Sequence, residues 1–212
     1  MVDMIRRSPV TFDKRPARVE KRHNWNVVAE YADEGEQGPW ITDLCHKPRW
    51  DVQDGNLMSL ASSDLPIPEN YGDCSLTSDM AVNRMNRTQA SVWHFSDDAV
   101  DMPNQRAYTD TTDATVFLAL YGKNVFSITE KLTNLDLNGP DKNPPTLVQG
   151  PFSHVPCQIL VVSKEGETPG ILFTCSRGYA RDMVHAVMDA GKEFSLKPAG
   201  EDRCKQWINQ IL

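Results

Sequence analysis

The stretch from Thr168 to Cys204, TPGILFTCSRGYARDMVHAVMDAGKEFSLKPAGEDRC, constrains the fold more than any other part of the chain. An apolar run, Ile171 to Cys175, leads directly into a helical pattern that begins near Arg177. The pattern stops at Gly191, where a left-handed C-cap is expected. Leu196-Lys197-Pro198-Ala199-Gly200 then introduces a second helix. A strand delivered into two successive helices must lie in a sheet with helices laid against it.

Within the first of these helices, Ser176 is placed as the N-cap. Tyr179, Met183 and Val187 fall on one face with Ala180 and Val184 beside them, whereas Arg181, Asp182, His185 and Asp189 fall on the wet side. The last helix sets Cys204, Trp207, Ile208, Ile211 and Leu212 at helical spacing, with Glu201 and Asp202 in its first turn, favourable against the helix dipole.

The rest of the second half continues the theme. Thr115 to Tyr121 is an apolar strand ending at Gly122, and Asn124 is placed to cap a short helix carrying Val125, Ile128, Thr129 and Leu132. A loop runs from Asn138 to Pro145, followed by strands at Val155 to Ser163 and Gly170 to Cys175. The first half reads as mostly β: strands at Asn24 to Tyr31 and Trp40 to Asp51, and a hairpin of Met80 to Arg84 with Gln89 to Phe95. Asp54 to Asp79 and Ser96 to Asp113 read as irregular segments. The whole is an α+β class: antiparallel sheets with helices packed on one side. It divides into an extended basic arm (1–24), a mostly β part (25–113) and a βαββαα part (114–212).

With 212 residues the chain can bury a core without disulfides or metals. Its net charge of −7 argues against nucleic acid as a partner. No apolar run approaches the roughly 18 residues of a membrane span, and the N-terminus lacks the apolar core of a signal peptide. Five scattered cysteines then imply reduced thiols and a cytoplasmic protein. The arm is the exception to the acidic balance: Arg6, Arg7, Lys14, Arg15, Arg18, Lys21 and Arg22 meet only Asp3, Asp13 and Glu20. Two readings stand for it, a solvated tail or an arm laid on an acidic partner chain.

Chemistry is harder to find. Cys45 and His46 are adjacent, so in a strand they point to opposite faces, and His154 and Cys157 also diverge. No metal site is expected. A Cys–His nucleophile pair assembled in space stays open, with Cys175 the nearest candidate and a small core residue as its other reading. Phosphate-binding glycine motifs are absent. The turn Cys175-Ser176-Arg177-Gly178-Tyr179 is suited to an anion, because helix N–H groups converge there beside Arg177; it is equally an ordinary strand-to-helix turn. Trp25, Trp40, Trp50, Trp93 and Trp207 suit either a stacking surface or the core. Asp110, Asp113 and Asp136 are candidate partners for a pterin-like ring or solvated carboxylates.

These residues resemble the folate-binding fold of the glycine-cleavage T-protein aminomethyltransferases. The resemblance rests on Asp189-Ala190-Gly191 followed by Ser195-Leu196-Lys197-Pro198-Ala199-Gly200, on Leu120-Tyr121-Gly122, on Glu130-Lys131-Leu132-Thr133-Asn134-Leu135-Asp136, and on Thr42-Asp43-Leu44-Cys45-His46. It covers about 40–205 and is firmest over 114–205. The chain departs from the family in being too short for its C-terminal barrel. No acid stands near Pro156-Cys157-Gln158, where the family's folate-contacting acid would fall. Ser153-His154-Val155-Pro156-Cys157-Gln158-Ile159-Leu160 and Arg7-Ser8-Pro9 are closer to the gamma subunits of heterotetrameric sarcosine oxidases. The small chains of dimethylamine monooxygenase-type N-demethylases are similar too.

The resemblance implies a small subunit of an oxidative N-demethylating complex acting on dimethylamine or sarcosine. Its larger redox subunits would carry the flavin, heme or other redox cofactor. This chain would bind tetrahydrofolate and accept released formaldehyde as 5,10-methylenetetrahydrofolate. The alternatives are a structural subunit of the same complex and an independent folate-dependent methyl or aminomethyl transferase. The residues expected to line the pocket or an interface are Arg177 and Tyr179, with His154 and Trp207.

Overall fold

The computed structural model describes residues 5–166 and 168–212. In chain order its elements are β1 (Pro16–Arg22), β2 (Trp25–Tyr31), β3 (Trp40–Asp43), β4 (Arg49–Gln53), β5 (Cys74–Leu76), β6 (Met80–Arg84), β7 (Gln89–His94), β8 (Tyr108–Asp110), β9 (Thr115–Tyr121), α1 (Val125–Thr129), β10 (Thr146–Phe152), β11 (Val155–Ser163), β12 (Gly170–Ser176), α2 (Ala180–Gly191), β13 (Lys197–Pro198) and α3 (Glu201–Ile211). The strands form a β1–β2 hairpin, a six-stranded sheet in the order β10-β11-β12-β9-β3-β13, and a five-stranded sheet in the order β5-β6-β7-β4-β8. Every pairing is antiparallel except that of β13 with β3. The fold is α+β. Among the described residues no helix is long and apolar enough to cross a membrane.

Strands β9 and β12 are nearly continuous apolar runs because both of their faces are covered. Val116, Leu118, Leu120, Ile171 and Phe173 face Val125 and Ile128 of α1 and Met183 and Val187 of α2. On the other face Phe117, Ala119, Tyr121 and Leu172 meet Cys204, Trp207 and Ile208 of α3, together with Ala81 and Trp93 of the five-stranded sheet. Helices α1 and α2 therefore share one side of the sheet, while α3 fills the space between the two sheets. Each fully buried aliphatic or aromatic side chain here contributes about 1.5–3 kcal/mol.

Several local expectations change. The single strand read over Trp40 to Asp51 is two strands, β3 and β4, in different sheets. Cys45 and His46 therefore lie in a turn, not on opposite faces of a strand. Strand β10 has no clear sequence signal because Gly150 and Pro151 interrupt its pattern, which an edge strand tolerates. Short strands β5 and β8 lie inside segments read as irregular. Helix α2 is preceded by a 3-10 turn at Arg177–Tyr179; Ser176 makes no side-chain cap, and Tyr179 is 46% exposed instead of joining the apolar face. Asn124 is itself left-handed, with φ 66°, and makes no side-chain cap to α1. Gly191 is right-handed, at φ −85°, and the left-handed residue is Ser195. Gly191 is required for space, because Leu196 packs where its Cβ would stand.

The basic arm runs along its own chain. Pro16–Arg22 pairs with β2 through a turn in which His23 and Asn24 are both left-handed, the geometry that matches strand twist in a two-residue hairpin. Upstream, Arg6 bridges to Trp25, and its N–H donates to the Asn24 carbonyl at 2.7 Å.

Candidate functional site

The site is built around the crossover between the two sheets, residues 42–48. Asp43 ends β3 by accepting the Cys45 N–H at 2.9 Å, and Pro48 has no N–H for a ladder, so the chain turns out of one sheet and enters the other at Arg49. Arg49 is 1% exposed. Its guanidinium donates to the Lys47 carbonyl at 2.6 Å, the Thr112 carbonyl at 2.5 Å, the Thr115 carbonyl at 3.1 Å and the Thr115 hydroxyl at 2.9 Å. Among the described residues no carboxylate pairs with it, and its donors have carbonyl partners instead. Burial lowers its pKa to about 10, so it remains a cation at neutral pH.

The segment 197–200 docks beside this crossover. The Lys197 and Ala199 N–H groups donate to Pro39 and Ile41. Thr42 Oγ1 donates to the Ala199 carbonyl at 3.0 Å. Gly200 passes so close to β2 that any Cβ would collide with the Ala29 carbonyl. Buried Glu34 takes the place of a cap for α3, accepting from the Gly200 N–H at 2.6 Å and from Arg203 Nε at 2.9 Å. The Pro-Ala-Gly signature in the sequence is thus a packing requirement.

Helix α3 then delivers Glu201, fully buried, among three cations and the His46 imidazole. Lys47 Nζ lies 2.7 Å from its carboxylate, His46 Nε2 3.0 Å and Lys205 Nζ 3.5 Å, and Arg22 of β1 also pairs with it. Asp97 shares Lys47 at 2.7 Å, Arg22 at 2.9 Å and Lys205 at 2.5 Å. Burial alone would raise the Glu201 pKa, but the His46 and Lys47 interactions overcome it and hold the carboxyl far below its ordinary range. Burial lowers the His46 pKa, against the pull of Glu201. The imidazole is therefore neutral at pH 7, with Nε2–H directed at Glu201.

A cleft of about 320 Å³ opens over this cluster. Trp25 and Trp50 supply aromatic wall and Val100 and Met102 apolar wall; Asp97, Asp101 and Asp110 supply carboxylates, and Arg6, Arg22 and His46 line it as well. Trp25 and His46 also border an adjoining cavity of about 260 Å³ lined by Arg7, Ser8, Tyr31 and Asp43. Size and lining suit a flat, polar-edged ring, with carboxylates to receive its N–H donors. Among the described residues no group of three His, Cys, Asp or Glu side chains is placed to hold a metal.

The four residues named from the resemblance are not brought together. Arg177 lies at the end of β12, where its Nη2 donates to the Arg7 carbonyl at 2.8 Å and its Nη1 is 4.0 Å from Asp113. Tyr179 is on the surface one turn further on. His154 is exposed in the left-handed turn between β10 and β11. Trp207 is buried at the opposite end of β12, stacked on Tyr121 at 4.6 Å, with Nε1 donating to the Thr168 carbonyl at 2.8 Å. Of Asp110, Asp113 and Asp136, Asp110 lines the cleft and Asp113 is held by Arg6. Lys47, Arg49, Glu34 and the buried role of Glu201 had no sequence signal, because their partners lie far away along the chain.

No protein-family model and no curated protein sequence matches this chain. Solved structures do. A chain of the heterotetrameric sarcosine oxidase from Corynebacterium sp. U-96, in complex with pyrrole 2-carboxylate, superposes with a TM-score of 0.60 at 15% identity, covering 73% of this chain and 84% of that one. The glycine cleavage system aminomethyltransferase T from Bartonella henselae superposes with a TM-score of 0.58 at 13% identity, over 89% of this chain. The match spans 57% of the length of that aminomethyltransferase. The chain thus has an aminomethyltransferase T-like fold, shared with a chain of heterotetrameric sarcosine oxidase.

Proposed function

We propose that this chain is the small, folate-binding subunit of a cytoplasmic hetero-oligomeric complex that oxidatively demethylates a methylated amine of the dimethylamine or sarcosine type. The larger subunits would carry the redox cofactor, and this chain would accept the released formaldehyde. The observation that carries the folate reading is the cleft. Trp50 lines it, Asp110 offers a carboxylate to the amino edge of a pterin, and Arg6 and Arg22, paired with Asp113 and with Asp97, line the side that would meet an anionic tail. The residues present fit the group. When bound, tetrahydrofolate supplies two amine nitrogens that take up formaldehyde and release water.

The contribution of the chain is positioning. A reactive one-carbon unit released inside a complex is captured efficiently only if its acceptor is held close by and water is kept out. The Glu201 cluster stiffens the cleft floor, and Arg177 acts at one remove by fixing the Arg7 carbonyl beside the adjoining cavity. His154 and Tyr179, both exposed at the same end of the six-stranded sheet, suit a subunit contact. Calorimetry of the purified complex with tetrahydrofolate under anaerobic conditions tests the reading. Saturable binding is expected, and none at millimolar ligand overturns it.

A further inference from the structure

Two arginines of this chain are buried without a carboxylate among the described residues, and they differ in one respect. Arg49 is surrounded by carbonyl acceptors. Arg84, at the end of β6, is 4% exposed and is not. Its Nη2 donates to the Arg87 carbonyl at 3.0 Å, its Nη1 reaches only the thioether sulfur of Met58 at 3.3 Å, and its Nε has no partner. A guanidinium stays charged at any physiological pH, so burying one beside a thioether is costly unless an anion arrives. The surroundings are also unusual. The guanidinium lies 5.7 Å from the ring of Tyr71. Tyr71 is 61% exposed and Met58 is 39% exposed. Arg87, at the adjacent hairpin tip, is exposed and has no ion pair among the described residues. The carboxylate of nearby Asp73 accepts from Asn70 at 3.0 Å, and Glu69 is exposed without contact to Arg84.

We propose that Met58, Tyr71 and Arg84 form a docking site for an aspartate or glutamate side chain of a partner subunit. Met58 is unbranched and easily rotated. Swinging its thioether aside uncovers Nη1 and Nε, the fork that binds a carboxylate in two parallel hydrogen bonds. Tyr71 and Met58 then close around the pair and exclude water, the composition and arrangement of an interface anchor. Charge complementarity selects the occupant: the Arg84 guanidinium has no carboxylate partner among the described residues, and Arg87 beside it adds a second positive charge.

The proposal rests on the subunit reading above, and its test separates the two. The complex is purified from its source with the chain as wild type or Arg84→Met, a volume-conserving change that removes the charge. Subunit affinity is measured by native mass spectrometry on dilution, and the melting temperature of the uncomplexed full chain is measured in parallel. Affinity is expected to fall at least tenfold while the melting temperature of the chain holds or rises. An affinity loss smaller than tenfold overturns the docking site and leaves the subunit reading standing. A lower melting temperature for the variant chain also overturns it, since Arg84 is then a structural residue. A wild-type chain that purifies without partners overturns both. In a second arm, a photo-crosslinking residue at position 71 is expected to label a partner peptide containing Asp or Glu, and a labelled peptide without either counts against the site.

Discussion

Replacing Glu201 by Gln removes the negative charge from the centre of the α3 cluster while keeping side-chain volume. Glu201 is fully buried, and Lys47 is 3% exposed. Breaking a buried ion pair by neutralising one partner costs about 3–5 kcal/mol, because the other charge is left uncompensated. Here the cost should lie near the bottom of that range. Lys47 retains Asp97 at 2.7 Å and the Phe95 carbonyl at 2.7 Å, and Lys205 retains Asp97 at 2.5 Å. For a chain of this size each kcal/mol moves the melting temperature by about 2–4 °C, so about 3 kcal/mol predicts a drop of roughly 6–12 °C at pH 7. The pH dependence sharpens the test. The Glu201 pKa is depressed in the folded state, so its contribution is fully present above the ordinary carboxyl range and is lost as pH falls through the folded value. Scanning calorimetry should therefore find the wild-type-minus-variant difference flat from pH 6 to 8 and shrinking below about pH 4. A drop under 2 °C at pH 7, or a difference that grows in acid, would refute the account of the cluster.

Asp110→Asn should weaken tetrahydrofolate binding about tenfold, the value of a lost charge-assisted hydrogen bond, with no change in melting temperature because the amide oxygen can still accept the Thr112 N–H; unchanged affinity in calorimetry would remove the ring from this part of the cleft. Arg177→Ala should also weaken folate binding while leaving the fold intact, and equal affinities would exclude its indirect role. Burial lowers the His94 pKa to about 4, so between the ordinary histidine value and pH 4 the unfolded chain binds more protons and stability is lost as the pH is lowered. Urea titrations should show the wild type losing about 3 kcal/mol across that window on this account, and His94→Phe losing correspondingly less. Burial pushes the thiols of Cys45 and Cys204 up, and that of Cys74 up to about 12, so these cysteines should react with a thiol reagent only after unfolding; rapid modification of the native protein would contradict their placement.

The parts of the fold that could be read from sequence are those whose partners are near or whose pattern is unbroken. Strands β9 and β12 are apolar on both faces and show as solid runs, and α3 carries a regular stripe from Cys204 to Ile211. Between β3 and β4 the local signal is Pro48, which has no N–H for a ladder. What fixes the crossover is the grip of Arg49 on carbonyls of Cys45, Lys47, Thr112 and Thr115, and the distant half of that grip has no local pattern. The resemblance located Pro198 and Gly200 correctly as a signature, but their reason, close approach to Ala29, appears only in three dimensions. The site was less legible than the fold. Arg177 was visible as a charge at a strand-to-helix turn, and the tryptophans as possible ring surfaces. Glu201, read as an acid favourable against the helix dipole, is also the buried centre of the charge cluster beside the cleft, a role set by Arg22 and Lys47 more than 150 residues upstream.

The hairpin at the front of the chain also orders events in time. Arg22 closes on Glu201 and Arg18 on Asp202, contacts spanning 179 and 184 residues. During synthesis β1 and β2 emerge well before α3, so their charged edge has no counterpart until α3 has been made. Much of both sheets can pair earlier from more local contacts, whereas sealing the cleft floor must wait for α3. A nascent chain that lacks α3 therefore presents the cleft without its floor.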